Sequence, residues 1–583
     1  MIVLGIHDGP NASAALVHNG RLTGFRYESR YRPEGEYAGF PRRAIHFMLA
    51  EAGLKTRDVD YVAFAGHVMK TPRTRREYLK QFTNDSAIGG VAKSALSYVI
   101  PGAFRTEMRK RDRLAGLERA GIRASNAVFV DAHMASSMLA YASGNSLTRR
   151  CLILCASKGA DRLGATVHVA QNGKLERISV VHEEDSLGDL LEHVTYLLGM
   201  VPQRDEQLLM DLGANAAGEA VESAAKRFEL LFEFDEMLPL SWHRSGNLPE
   251  TARSQEFLRR HFRRRRFDHI AGGWYHFLCR FMTDWVGRCA HKTEIRDVVL
   301  CGDLFELGEL VPVVSRHKDV VSVSRSVLPG SPGNAIGAAL LVARDKESDG
   351  IRALDPLRDP YIGPATNQDD LARALSELRA DPAIAVEEPK DLAYRASELL
   401  AAGAVLGRFA GQEDGRMRGL GNRSLLARAD YPPARQKLRE VSTPDCFWSS
   451  QAIFWQSERL RNNFREADTL PETVSGEYFL TPRNASPWYG LVEGRKVPVQ
   501  AVSRNANRPF WDLLDSYHAQ LGRTPLLAGV WKDGKGELVQ SPLQAARLWR
   551  EQGLTGAILG SWLVYRKENA PAQIKRAVHH ARA

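Results

Sequence analysis

Ile2-Val-Leu-Gly-Ile-His-Asp-Gly-Pro-Asn-Ala-Ser-Ala-Ala-Leu-Val-His-Asn-Gly20 is the stretch of sequence that decides the fold. Residues 2–6 are apolar, residues 7–12 are rich in turn formers, and residues 13–17 are mostly apolar again. Asn19-Gly20 is the dipeptide typical of a two-residue hairpin turn. The pattern predicts that the chain opens as strand, polar loop, strand, tight turn and strand.

The bulk composition is that of an ordinary globular protein. The chain has 583 residues, 44% of them hydrophobic and 25% charged. This length predicts two to four domains. No apolar run approaches the roughly 18 residues that a membrane span needs. The six cysteines form no CxxC pair, which indicates neither a zinc site nor a disulfide framework, and we expect a cytoplasmic protein.

The formal net charge is +10, and three basic runs contribute to it, at Arg73–Arg76, Arg109–Arg113 and Arg263–Arg266. These runs are typical of solvated helix faces. They would also suit a docking surface for an acidic partner. No nucleic-acid recognition motif accompanies them, so we expect no nucleic-acid partner.

Several segments resemble the O-carbamoyltransferases of antibiotic and nodulation-factor synthesis, the tobramycin carbamoyltransferase type. The most specific segment is Arg418-Gly-Leu-Gly-Asn-Arg-Ser-Leu-Leu-Ala427, close to that family's R-A-L-G-N-R-S-I-L-A. Ser186-Leu-Gly188 with Thr195–Gly199, and Gly333–Ala339, resemble two further signatures, and the opening stretch resembles the family's start. The resemblance covers nearly the whole chain.

The resemblance implies an α/β protein in two parts. Residues 1–345 would form a two-lobed, Kae1-like domain of the actin-ATPase type, and residues 369–583 a YrdC-like α/β domain. The loop-like, proline-rich stretch 346–368 would link them. Apolar spacing predicts a helix at Asp369–Leu378. Apolar, β-rich segments predict central strands in 149–169 and at 298–301.

The family's metal ligands are absent. Its V-E-H-H-L-A-H motif aligns with Val130–Ser136, and the outer two histidines become Ala132 and Ser136. Its metal-binding aspartate becomes Ser331. Alanine has no donor atom and a neutral serine is a poor ligand. We therefore expect no metal.

The family's nucleotide motifs are also replaced. Ser157-Lys158 stands for its D-G loop, Gly302-Asp303 for its G-G, and Leu208 for its lysine. The carboxylate of Asp303, at the second of these places, would repel phosphate. We expect no cofactor. In the second domain Arg418, Asn422 and Arg423 persist, and could bind an anion or hold a turn.

A reaction without ATP or metal needs a preactivated substrate, such as a thioester on a carrier protein. In its length, its carbamoyltransferase-like organisation and its lost ATP motifs, the chain resembles the condensing subunits of lincosamide synthetases. This resemblance implies amide formation between a proline derivative, tethered by phosphopantetheine to an acidic carrier protein, and the amine of an amino sugar. The basic runs would suit docking of the carrier. No membrane partner is expected, and the chain could form a homo-oligomer.

Candidate residues for this chemistry lie at or near the positions of the family's metal and nucleotide motifs. His133 is the candidate general base, with Asp131 to orient or charge it. His7 and Asp8 lie in the opening loop. Cys155 and Cys301, at the ends of predicted strands, could carry an acyl group, and Ser157 with Lys158 could bind substrate.

Each candidate also has a structural interpretation. His133 could serve packing, His7 and Asp8 a capped turn, and the cysteines could be inert small hydrophobes. Adjacent strand residues point to opposite faces, which disfavours Ser157 and Lys158 as a joint pair.

Two other functions remain open. An O-carbamoyltransferase that uses carbamoyl phosphate and ATP would need new metal ligands, for which His168, His182 and His193 are available. A catalytically inactive scaffold protein is the third interpretation.

Overall fold

The computed structural model describes residues 1–32, 37–68, 78–80, 82, 102–144, 147–347, 354–416, 418–442, 452–470, 476–483, 496–534 and 536–569. The chain divides into two compact units, Met1–Arg358 and Asp359–Ala583. The domain limits predicted from the sequence, at residues 345 and 369, stay a prediction.

The first unit begins with the predicted strand–loop–strand–turn–strand. Its first sheet has the order β3-β2-β1-β4-β5, antiparallel across β1, β2 and β3 and parallel across β1, β4 and β5. Asn19 and Gly20 have positive φ, as the hairpin turn requires. The strands are β1 (Ile2–His7), β2 (Ser13–His18), β3 (Arg21–Tyr27), β4 (Tyr61–Ala65) and β5 (Ala127–Val130).

The second sheet of this unit repeats the strand order of the first. Its order, β8-β7-β6-β11-β12, is again three antiparallel strands followed by two parallel ones. The strands are β6 (Cys151–Ala160), β7 (Leu163–Gln171), β8 (Lys174–His182), β11 (Asp297–Cys301) and β12 (Ser322–Arg325), with a small separate pair, β9 (Phe232–Phe234) and β10 (Trp242–Arg244). Two lobes of one topology make this the Kae1-like, actin-ATPase type of fold that the resemblance predicted.

Helices cover both sheets. They are α1 (Arg42–Glu51), α2 (Gly102–Arg119), α3 (Ala132–Ala142), α4 (Leu187–Leu197), α5 (Glu206–Ala214), α6 (Glu219–Glu229), α7 (Gln255–His261), α8 (Phe267–Thr293), α9 (Leu310–Val314) and α10 (Asn334–Lys346). Two of them, α3 and α10, pack against each other at a glycine. A Cβ on Gly337 would lie 1.8 Å from the carbonyl oxygen of Ala135, so only glycine allows this approach.

The second unit is an α/β layer built on a nine-stranded sheet of order β13-β21-β20-β14-β15-β19-β16-β18-β17. Its strands are β13 (Ile384–Glu387), β14 (Leu406–Phe409), β15 (Arg423–Arg428), β16 (Ile453–Gln456), β17 (Gly476–Leu480), β18 (Val497–Val502), β19 (Leu526–Val530), β20 (Gly556–Leu559) and β21 (Trp562–Arg566). Its helices are α11 (Gln368–Arg379), α12 (Leu392–Ala401), α13 (Pro432–Ser442), α14 (Leu460–Asn463), α15 (Arg508–Leu521) and α16 (Pro542–Glu551). The helix predicted at Asp369–Leu378 is confirmed as α11.

One sequence prediction about the site is wrong. Ser157 and Lys158 were expected in a loop after a strand that ends at residue 155, but β6 continues to Ala160. A shift in register between Ala156 and Ala160 marks the irregular part of that strand. In the part of the chain that the structure describes, no helix is both long and apolar enough to cross a bilayer.

Candidate active site

A row of polar side chains crosses the second sheet of the first unit. Cys155 on β6 lies opposite Thr166 on β7 and opposite Cys301 on β11. Residues paired across neighbouring strands project from the same face of a sheet. All three are buried, and the row therefore places two thiols and a hydroxyl side by side inside the protein.

Helix α3 presents a matching row to these strands. His133, Ser136 and Ser137 follow one another at the three- and four-residue spacing of one helical face. Asp131 caps the helix, since its Oδ1 accepts a hydrogen bond from Met134 N–H at 2.9 Å. The cap fixes where the helix starts, and so places His133 over the strand row.

His133 contacts the sheet through both ring nitrogens. Its Nε2 lies 3.1 Å from the carbonyl oxygen of Leu163, and its Nδ1 lies 3.3 Å from Thr166 Oγ1. Burial lowers the pKa of His133, but the neighbouring Cys155 and Asp131 outweigh it, and the net shift is upward. The imidazole is thereby held closer to its charged form.

Cys155 is the partner that raises the pKa of His133. A hydrogen bond from Cys301, the charge of His133 and a hydrogen bond from Ser136 outweigh burial and hold the pKa of Cys155 well below its usual range. Burial and the adjacent Cys155 raise the pKa of Cys301 well above its usual range. The two cysteines therefore differ: Cys155 is the more acidic thiol, and Cys301 is the less acidic one.

The pair is enclosed. Cys155 is 0% exposed and His133 is 1% exposed. Ser157, whose Oγ lies 3.8 Å from Cys155 Sγ, is itself only 8% exposed. A substrate therefore reaches Cys155 only when the surrounding elements open.

Asp131 acts on His133 through charge alone. Besides capping α3, its carboxylate accepts a hydrogen bond from Arg177 Nη2 at 2.6 Å. Burial raises the pKa of Asp131, but Met134 N–H and Arg177 outweigh it and the net shift is downward. Of the two roles predicted for Asp131, charging His133 agrees with the upward shift in the pKa of His133. No hydrogen bond joins Asp131 to His133 among the described residues, so the orienting role has no such support.

The positions at which the family would hold a metal do not fit one. Ala132 has no donor atom, Ser136 is bonded to Cys155, and Ser331 Oγ donates to Asp303 at 2.7 Å. Among the described residues no group of three histidine, cysteine, aspartate or glutamate side chains is placed to bind a metal ion. His168 is bonded to Ser137 and Arg177, and burial lowers its pKa to about 3.

The place where the family's G-G motif would meet phosphate holds a carboxylate of the chain itself. Asp303 accepts hydrogen bonds from Ser331 N–H at 2.9 Å, from Ser331 Oγ, and from Lys158 N–H at 3.3 Å. Backbone N–H groups of this kind are what an incoming phosphate needs. They are already bonded to an anion, so the site does not fit a nucleotide phosphate.

Lys158 is likewise paired with neighbouring carboxylates. Its ammonium lies 2.5 Å from Glu192 and 3.6 Å from Glu206. Burial lowers the pKa of Lys158, but the two carboxylates outweigh it and raise it above its ordinary value. Lys158 therefore stays charged and is a poor general base, while Ser157 faces the cysteines.

Among the described residues, His7 and Asp8 make no hydrogen bond to Cys155 or His133. His7 is the last residue of β1, not a loop residue, and its Nε2 lies 3.1 Å from the carbonyl oxygen of Pro10. Its Nδ1 is buried without a partner among the described residues, and burial lowers its pKa. Asp8 accepts from Arg113 Nε at 2.7 Å, and this ion pair outweighs burial and lowers the pKa of Asp8.

In the second unit, two of the three predicted anion binders hold a turn. Asn422 accepts from Arg408 and from Asn507, and Arg423 donates from Nη1 to the carbonyl oxygen of Ala410. Arg418 Nη1 donates to Glu477 at 2.7 Å. Of the two interpretations, the turn-holding one therefore has the geometric support at Asn422 and Arg423.

Of the basic runs, Arg73–Arg76 lies outside the described residues. Arg109–Arg113 lies in α2, and its last member is buried and paired with Asp8, so Arg113 is not part of an exposed basic surface. Arg263 and Arg264 are exposed, while Arg266 is bonded to Asp268.

Sequence reasoning missed Thr166, Arg113 and the partners of Lys158. Thr166 carries no motif and becomes visible only once the register of β6 and β7 is known. Arg113 stands among other basic residues of α2, and no local pattern marks it as the buried one. Glu192 and Glu206 come from two different helices, so no local pattern indicates them.

Family profiles match both parts of the chain. The profile described as Carbamoyltransferase N-terminus matches residues 3–238, and the profile described as Carbamoyltransferase C-terminus matches residues 397–566. Nodulation protein NolNO of Sinorhizobium fredii is 25% identical over 599 aligned positions, which cover 98% of this chain and 81% of that protein. Nodulation protein NolO of Bradyrhizobium diazoefficiens is 28% identical over 250 positions, 41% of this chain and 44% of that protein.

Solved structures resemble the chain weakly. The activator of the 2-hydroxyisocaproyl-CoA dehydratase from Clostridium difficile is 12% identical, with a TM-score of 0.33, over 59% of this chain and 95% of that one. Full-length HypF, in its phosphate- and nucleotide-bound form, is 13% identical, with a TM-score of 0.31, over 60% of this chain and 56% of that one.

Proposed function

The chain is a diverged member of the carbamoyltransferase family, and from this premise we propose that it transfers an acyl group from a thioester donor to an amine through Cys155 and His133. The observation that carries the proposal is the buried row in which Cys155 lies opposite Thr166, whose Oγ1 lies 3.3 Å from His133 Nδ1, next to positions that suit neither metal nor nucleotide phosphate. A thioester is already activated and needs neither.

The chemistry proceeds in two steps. Cys155 thiolate attacks the thioester carbonyl, a bond from carbon to Cys155 sulfur forms, and the donor's thiolate leaves with a proton from His133. The amine then attacks the acyl group on Cys155, and the carbon–nitrogen bond forms as the bond to sulfur breaks. His133 takes the proton that the amine loses, and the proton balance is restored.

The neighbours of the pair have defined parts in these steps. Cys301 and Ser136 donate hydrogen bonds to Cys155 and stabilise its thiolate. Thr166 and the Leu163 carbonyl hold the His133 ring in one orientation. Asp131, tied to Arg177, contributes negative charge near the imidazolium.

For the donor we propose a phosphopantetheine thioester on an acidic carrier protein, and for the acceptor the amine of an amino sugar. The exposed Arg263 and Arg264 support an acidic partner by charge complementarity. The acyl group, a proline derivative, and the sugar rest on the lincosamide-type resemblance alone.

O-carbamoyl transfer is the second candidate, and the comparisons support it more directly than they support amide formation. Both family profiles carry the carbamoyltransferase description, and one nodulation protein aligns over nearly the whole chain. The residues around Asp303 and Ser136 argue against its usual metal and nucleotide. We therefore derive no step through either group.

One reaction in two versions separates the candidates. Chelator-treated protein is given a prolyl-carrier thioester and an amino sugar without nucleotide, and in parallel carbamoyl phosphate, ATP and magnesium with the same sugar. We expect amide product in the first version. Carbamoylated sugar in the second version alone would establish the second candidate, and no product in either would leave the inactive scaffold.

Variants assign the residues. His133→Gln and Cys155→Ser should lower the rate of amide formation by about 10²-fold or more, the contribution typical of a general base or nucleophile. Cys289→Ser is the matched control, because Cys289 is equally buried but lies in α8. Full activity of the His133→Gln variant would remove that residue from the mechanism.

A further inference from the structure

A cleft in the second unit has no part in the chemistry above. Its volume is about 810 Å³, within the range of small-molecule sites. It opens between the first residues of α12 and of α15, above the ends of β14 and β20. Of the three anion binders suggested by the sequence, Asn422 lines it, and Arg418 and Arg423 do not.

Arg408, on β14, is the buried basic group of this cleft, and it has no counter-ion among the described residues. It is 4% exposed, and its Nη1 donates to the carbonyl oxygen of Gly421 at 2.8 Å and to Asn422 Oδ1 at 2.6 Å. Within the part of the chain that the structure describes, both of its hydrogen bonds come from Nη1, and no carboxylate lies at ion-pair distance. The edge formed by Nε and Nη2 is thus left for another acceptor.

A buried guanidinium without a counter-ion is costly for a fold to keep. Burial lowers the pKa of Arg408 to about 10. Tyr361 opposes this shift, Arg423 adds to it, and no carboxylate takes part. The group nevertheless stays charged at neutral pH. A charge that the fold does not neutralise, in a cleft of ligand size, points to an anion supplied from outside.

The acids around the cleft are already engaged. Asp391 accepts from Tyr394 N–H at the start of α12, Asp359 accepts from Tyr361 N–H, and Asp512 lies 3.7 Å from the exposed Arg508. Leu392, Pro509 and Ile558 supply apolar wall. The three acids are balanced by three basic groups of the lining, Arg408, Lys390 and Arg508, and a lining of no net charge matches a ligand of charge −1 better than a dianion.

We propose that this cleft binds an amphipathic small molecule through a carboxylate, which pairs with the Nε–Nη2 edge of Arg408 while the apolar body lies on Leu392 and Ile558. Guanidinium and carboxylate form two parallel hydrogen bonds in this geometry. Phosphate monoesters share the oxyanion chemistry, and the test separates them. The proposal does not depend on the transfer reaction in the first unit.

The test measures binding to the full-length protein by calorimetry and thermal shift. The probes are phenylacetate, its neutral isostere phenylacetamide, and phenyl phosphate, which share a ring and differ in charge. We expect phenylacetate to bind at millimolar concentration or better, and the other two at least about tenfold more weakly. Equal binding of the amide, or no binding of any probe, would overturn the proposal. Tighter binding of phenyl phosphate would overturn the choice of carboxylate.

Two variants place the ligand on Arg408. Arg408→Lys keeps the charge and loses the fork, and should weaken phenylacetate binding by about tenfold. Arg428→Lys, at a buried arginine of the same sheet that pairs with Asp430 outside the cleft, is the matched control and should bind normally. Ala393→Glu leaves Arg408 in place and puts a carboxylate on the cleft wall, where it should compete with phenylacetate. Unchanged affinity in both Arg408→Lys and Ala393→Glu would contradict the proposal.

Discussion

At the scale of residues, the side chains that occupy the altered motif positions are hydrogen bonded within the site. Ser136, at a position where the family would bind metal, donates to Cys155. Ser331 and Asp303, at two further altered positions, are hydrogen bonded to each other. Side chains that replace lost ligands and then satisfy each other's hydrogen bonds keep a buried region stable without metal or phosphate.

The ionisation of Cys155 follows from these contacts. Because its pKa is held well below the ordinary range, its thiolate should appear at lower pH than that of the other cysteines, in an ultraviolet titration of the native protein. Cys155→Ser should abolish this early step. His133→Ala should move it to higher pH, since the positive neighbour is lost. A step that persists in Cys155→Ser would contradict the assignment, and Cys289→Ser serves as the control.

Asp303 makes a second prediction at this scale. Asp303→Ala leaves Ser331 N–H and Lys158 N–H without their acceptor, which should lower the free energy of unfolding by about 1–3 kcal/mol. Urea unfolding measures this loss. Asp355→Ala, at an exposed carboxylate, should change the same quantity by less than about 0.5 kcal/mol. Equal effects of the two variants would mean that the Asp303 hydrogen bonds contribute little.

At the scale of elements, local patterns predicted structure well and contacts between elements poorly. Asn19-Gly20 predicted a hairpin turn and the apolar spacing from Asp369 predicted α11, and both are present. The extension of β6 through Ser157 was missed, because the strand there passes through a register shift between Ala156 and Ala160 that no local pattern indicates. The meeting of Cys155 with Cys301 depends on two strands almost 150 positions apart in sequence, joined as parallel neighbours, and no local signal carries it.

The packing of α3 on α10 carries the element-scale prediction. Gly337→Ala forces the two helices apart, because a Cβ would overlap the Ala135 carbonyl group. We expect a loss of about 1–3 kcal/mol in the free energy of unfolding, the usual cost of overpacking. His133 lies on the helix that must move, so the rate of transfer should fall as well. Gly534→Ala, where a Cβ would meet nothing within 4 Å, is the control and should change neither.

At the scale of the whole molecule, the proposed reaction needs a protein partner that carries the donor. The net charge of +10 favours an acidic one. Attraction between exposed charges weakens as salt is added, because counter-ions screen it. The affinity for a carrier protein should therefore fall with ionic strength. The fall should be steeper the more arginines the contact contains.

The Arg263–Arg264 pair tests this docking. The double variant Arg263→Glu, Arg264→Glu should weaken carrier binding by about tenfold or more and flatten its salt dependence, as measured by calorimetry at two salt concentrations. The matched control is Arg57→Glu with Arg123→Glu, which reverses two exposed arginines elsewhere on the first unit. Equal losses in the two double variants would reduce the effect to net charge and remove the docking site.

The measurement that tests the central claim most directly is the mass of the intact protein after mixing with a prolyl-carrier thioester in the absence of amine. We predict an added prolyl group, mapped by peptide digestion to Cys155, absent from Cys155→Ser and released when the amino sugar is added. Transfer to the sugar without any such adduct, or an adduct on another residue, would contradict the account of Cys155 as the acyl acceptor.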